Sequence, residues 1–109
     1  MPILQINFKL NVSPTEYHKI CESFAETFAG LPGLRWKIWL SNEQENEAGG
    51  IYLFSSEQAL QDYLAGPIVA QLKSHPAVRD ISAKRFEVME DVTAVTRGPV
   101  TAVAATQTA

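Results

Sequence analysis

The run Gly49-Gly50-Ile51-Tyr52-Leu53-Phe54 constrains the fold more than any other part of the sequence. Successive side chains of an extended strand point to opposite faces. From Ile51 onward every position is apolar or aromatic, so both faces of such a strand need cover. That places it at the centre of a sheet buried on both sides. The paired glycines at its start point to a bulge or a close backbone contact. Upstream, residues 34–40 alternate. Leu34, Trp36, Ile38 and Leu40 share one face; Arg35, Lys37 and Trp39 share the other. The polar loop from Ser41 to Glu47 joins the two runs into an antiparallel hairpin.

Two further strands flank this hairpin in the chain. Residues 3–10 alternate, with Leu4, Ile6, Phe8 and Leu10 on one face and Gln5, Asn7 and Lys9 on the other. Residues 81–89 place Lys84, Phe86 and Val88 opposite Ala83, Arg85 and Glu87. Between the first strand and the hairpin, Ser13-Pro14-Thr15-Glu16 reads as a capping box with proline in the first turn. Tyr17, Ile20, Cys21, Phe24, Ala25 and Phe28 then recur at helical spacing until Gly30, Pro32 and Gly33. After the hairpin, Ser55 is the expected cap of a helix whose stripe is Ala59, Leu60, Tyr63 and Leu64. Gly66-Pro67 breaks it, and a second helical piece carries Ile68, Val69 and Leu72.

The predicted order is β-α-β-β-α-β, a ferredoxin-like α+β pattern: a four-stranded antiparallel sheet with helices on one face. Residues 1–90 make up this domain. By the alternation above, Trp36 faces the helices and Trp39 faces away. A second subunit laid sheet to sheet, through Arg35, Lys37 and Trp39, is the expected cover for the other face. Residues 91–109 repeat Val-Thr-Ala-Val, at 92–95 and 100–103, with few charges. They are expected to form an extended C-terminal arm, frayed or docked on the partner subunit.

Composition narrows the function classes. Nine basic against twelve acidic residues give a net charge of −3, which disfavours generic nucleic-acid binding. No stretch approaches the ~20 apolar residues of a membrane span. The first residues lack the basic and apolar regions of a signal peptide, so a soluble cytoplasmic protein is expected. The single cysteine, Cys21, excludes an intrachain disulfide and a cysteine-based zinc site. His18 and His75 have no spacing for a metal site.

The stretch Trp36-Lys37-Ile38-Trp39, a polar loop, then Glu47-Ala48-Gly49-Gly50-Ile51-Tyr52-Leu53-Phe54 resembles the signature of the YdhR-type putative monooxygenases over about residues 3–95. The resemblance implies a dimeric α+β barrel, similar in architecture to the antibiotic-biosynthesis monooxygenases, which oxidise aromatic polyketides without metal or flavin. It therefore implies a homodimer and cofactor-independent oxygenation of a small aromatic or polyketide-like compound. The alternative is a non-catalytic small-molecule binding or interaction module of the same fold. Haem-degrading members of the superfamily use Asn, Trp and His. Here Asn7 points away from the helices and Pro76 follows His75, which departs from that pattern. No cofactor is expected.

Oxygenation without a cofactor requires the substrate to be its own reductant. The protein supplies an apolar pocket, hydrogen-bond donors and a base. The expected catalytic residues are Trp36 and Tyr52 as donors, with His18 as a base at the rim. Tyr17, Phe24, Tyr63 and Phe54 are expected to bind a flat aromatic ligand. Cys21 reads as an inert core thiol.

Overall fold

The computed structural model describes residues 1–100. The elements are β1 (Pro2–Leu10), α1 (Pro14–Ala29), β2 (Leu34–Asn42), β3 (Glu47–Phe54), α2 (Glu57–Leu64), α3 (Pro67–Ser74), β4 (Val78–Glu87) and α4 (Glu90–Val95). The strands form one antiparallel sheet in the order β2-β3-β1-β4. β3 is therefore internal, as its doubly apolar run requires. The alternation in β1 holds: Leu4, Ile6, Phe8 and Leu10 are all buried. They pack beneath the helices with Phe28, Tyr52, Phe54, Leu60, Tyr63 and Val69.

Local chemistry explains the helix boundaries. The Ser13 hydroxyl accepts from the Glu16 N–H, and Pro14 occupies the first turn of α1, where its missing N–H costs nothing. Gly30 caps the other end. In α2 the cap is Ser56, which accepts from the Ala59 N–H, and not the expected Ser55. The Ser55 N–H is instead bonded to the Gly33 carbonyl at 2.8 Å, so Ser55 ties the end of β3 to the start of β2.

The glycine pair behaves as the sequence implies. A Cβ on Gly49 would lie 2.0 Å from the Ile6 carbonyl oxygen. No side chain fits there, and the close β1–β3 approach depends on glycine.

The largest departure from expectation lies in β2. Leu34 pairs with Phe54, but Trp36 pairs with Leu53, and the register shifts between them. This bulge around Arg35 adds one residue to the strand and reverses the alternation beyond it. Lys37 and Trp39 now sit opposite Tyr52 and Gly50, on the helix side. Trp36 turns to the other face, where its indole N–H donates to the Pro99 carbonyl at 2.9 Å. Arg35, Lys37 and Trp39 therefore do not share an outer face. Glu87 pairs with Arg85, which also meets Glu57.

The C-terminal region is not uniformly extended. Residues 90–95, including the first Val-Thr-Ala-Val, form the helix α4. The chain then turns, and Val100 is buried beside Ile3 and Trp36. The rest of the expected arm, residues 101–109, lies outside the described residues. On the sheet face away from α1, α2 and α3, Ile38 is 50% and Phe86 47% exposed. Met89, and Val92 and Val95 of α4, are exposed as well.

Candidate active site

Between the sheet and the helices lies a cavity of about 80 Å³. One stripe of α1 supplies Tyr17, Cys21, Phe24 and Phe28, which follow each other at three- and four-residue spacing. β2 supplies Lys37 and Trp39, β3 supplies Tyr52, α2 supplies Tyr63, and the turn after α3 supplies His75.

Lys37 is the unusual member. Its Nζ lies 3.5 Å from the ring centroids of both Phe28 and Trp39, and 4.7 Å from that of Tyr52. A Cβ on Gly50 would stand 2.9 Å from Lys37 Cε, so glycine makes room for the lysine stem. No carboxylate meets this amine among the described residues. Loss of water around the ammonium pulls its pKa down to about 7, opposed only by the Cys21 sulfur when that is ionised. The ring faces return part of the lost hydration. Near neutral pH, Lys37 can therefore take up or release a proton.

The phenols behave in the opposite way. Burial raises the pKa of Tyr17, Tyr52 and Tyr63. They stay protonated and act as hydrogen-bond donors. The Tyr63 hydroxyl donates to that of Tyr52 at 3.3 Å. Burial also pushes the Cys21 thiol up, against the pull of its Tyr17 hydrogen bond and the Lys37 charge, so it is not an activated thiolate. His75 Nδ1 accepts from the Ala77 N–H at 3.1 Å, which leaves the proton of the neutral ring on Nε2.

Of the residues expected from sequence, Tyr17, Phe24, Tyr52 and Tyr63 come together in this cavity. Phe54 stands behind it, fully buried, with its ring stacked on Tyr52 at 6.2 Å and 5.6 Å from Tyr63. His18 is on the solvent side of α1, its side chain 73% exposed and its Nε2 3.6 Å from Glu22. Trp36 lies across the sheet. Sequence reasoning missed Lys37 and Trp39, because strict alternation put them on the wrong face. It also gave His75, which lines the cavity, no part in the site. The available signal was Gly50, an unfilled position in an otherwise bulky strand that calls for a long neighbour. Among the described residues, no group of three or more His, Cys, Asp or Glu is placed to hold a metal ion.

A family model described as putative mono-oxygenase ydhR matches residues 3–99. No curated protein matches the chain. Among solved structures, it is similar to the haem-degrader MhuD of Mycobacterium tuberculosis with two haems bound. The identity is 23% and the TM-score 0.64, over 82% of this chain and 97% of the other. It is also similar to SnoaB, a cofactor-independent oxygenase from Streptomyces nogalater, at 20% identity and TM-score 0.63, over 80% and 92%. A third is a Streptomyces coelicolor monooxygenase in complex with nanaomycin D, at 20% identity and TM-score 0.61, over 80% and 86%. At these identities the likeness establishes the fold.

Proposed function

The chain belongs to the ydhR family of putative mono-oxygenases, and from that premise we propose that the Lys37 cavity oxygenates a small electron-rich phenol, or a polyketide-like relative, without a cofactor. The observation that carries this reading is a proton-accepting amine enclosed by aromatic rings, with neutral phenol donors beside it. Aromatic walls bind a flat ring, and nanaomycin D and haem, bound by two similarly folded proteins, are ligands of that shape. Lys37 in its neutral form takes the phenol proton. The resulting phenolate is the electron donor that reacts with oxygen, and Tyr52 and Tyr63 orient the developing carbonyl oxygen. A phenol with an open para position and one O₂ give a quinone and one water, so no other reductant enters. The cavity is smaller than the roughly 150 Å³ that takes up benzene in an engineered core. Substrate therefore enters by displacing the Lys37 side chain or moving α1 outward.

The test is oxygen uptake with 1-naphthol. The rate should rise with pH to a plateau, half-maximal near pH 7, and Lys37→Met should lower it about 10²-fold. A full rate in that variant would reject Lys37 as the base. Binding of an aromatic panel without any oxygen uptake would favour the small-molecule binding module. The free Cys21 thiol is compatible with the cytoplasmic location expected for the protein. No helix among the described residues is long and apolar enough to cross a membrane.

A further inference from the structure

We propose that Lys37 is also a nucleophilic site that condenses with small aromatic aldehydes and ketones to form an imine. The position of the amine makes this possible. Its Nζ is held at 3.5 Å over two ring faces in a cavity, and no acidic side chain lines that cavity to keep it charged. The titratable groups facing it are Tyr17 and Cys21 from α1, Tyr52 from β3, Tyr63 from α2 and His75 after α3. The three phenols and the thiol are held towards their neutral forms by burial. An amine desolvated in an apolar pocket is the form of lysine that attacks carbonyls.

The chemistry balances without oxidant or reductant. The amine lone pair attacks the carbonyl carbon and forms the C–N bond. The carbonyl oxygen collects one proton from the nitrogen, giving a carbinolamine. The C–O bond then breaks, the hydroxyl leaves as water with the second nitrogen proton, and the C=N bond remains. A neutral phenol such as Tyr52 or Tyr63 can hydrogen-bond the carbonyl oxygen during attack. The aromatic walls select a flat carbonyl compound over an aliphatic one.

The inference shares with the oxygenase reading the premise that a flat aromatic enters this pocket, but it needs no oxygen. The experiment is anaerobic incubation of the full chain with salicylaldehyde and sodium cyanoborohydride, which reduces an imine to a stable secondary amine. Peptide mapping by mass spectrometry then compares Lys37 with Lys9, Lys19, Lys73 and Lys84 within the same molecules. At pH 7 Lys37 should be labelled at least about tenfold faster than any of these, because about half of it is neutral there against roughly one in three thousand for an ordinary lysine. Its labelling should lose that advantage in denaturant. Even labelling of all five lysines, or none at Lys37, would overturn the inference. Because the native chain is mapped directly, the result does not depend on a variant folding. Selective anaerobic labelling without oxygen uptake on 1-naphthol would uphold this inference while sinking the oxygenase reading. Oxygen uptake without labelling would do the reverse.

Discussion

At the scale of single residues, the cavity is organised by one amine whose charged form the fold penalises. In the unfolded chain Lys37 regains the ordinary lysine value, roughly 10.4. Between pH 7 and 10 the unfolded state therefore binds more protons than the native state, and stability rises with pH. Below about pH 7 both states are protonated and the cost of burying the charge is fully present. Lys37→Met keeps an unbranched apolar stem, one heavy atom shorter, and removes the charge. It should stabilise the protein at pH 6 by on the order of a few kcal/mol and flatten the pH dependence from 7 to 10. Urea midpoints at pH 6, 7, 8 and 9 measure this. A variant that is less stable at pH 6 would show that the rings compensate the ammonium fully. Gly50 belongs to the same arrangement, since its missing side chain is where the lysine stem runs.

At the scale of elements, β1 and β3 were legible because uniform alternation and an uninterrupted apolar run each admit few placements. α1 was legible from Ser13, Pro14 and Gly30. β2 was misread for a physical reason. A bulge depends on pairing with a neighbouring strand, and nothing in Leu34-Arg35-Trp36 taken alone marks the residue that will be left over. The single extra residue exchanged Trp36 for Lys37 in the site. Removing Arg35 should thus force either Leu34 out of the core or Lys37 and Trp39 out of the cavity. The expected cost is about 2 kcal/mol or more, comparable to one misplaced core side chain, together with loss of selective Lys37 labelling. A deletion variant with unchanged urea midpoint and intact labelling would show that β2 re-registers freely. At the other end of the hairpin, Gly49→Ala should prevent native β1–β3 pairing, since the added methyl meets the Ile6 carbonyl. Loss of the cooperative unfolding transition would be the readout.

At the scale of the molecule, one sheet face is covered by α1, α2 and α3, and the other only partly. Val100 and the Trp36–Pro99 hydrogen bond close one end of that second face. Ile38, Phe86 and the apolar residues of α4 remain exposed. We propose that a second copy of the chain covers them, sheet to sheet, through these residues rather than through Lys37 and Trp39. Phe86→Asp should shift the protein towards monomer by light scattering at micromolar concentration, and Trp39→Asp, on the helix side, should not. The opposite order would return the interface to the set expected from alternation.

The sequence alone determined the order of elements, the sheet with helices on one face, the central place of β3 and an aromatic lining built from Tyr17, Phe24, Tyr52 and Tyr63. Those follow from periodicity and turn chemistry, which are properties of short segments. Tertiary structure alone decided which face of β2 meets the helices, and with it that the site holds a desolvated lysine and not the Trp36 indole. That choice rests on how β2 registers against β3. The lowered pKa of Lys37 in turn requires α1, β2 and β3 to converge on one atom and exclude water from it. Both depend on contacts between segments distant in the chain, so no local pattern in the sequence encodes them.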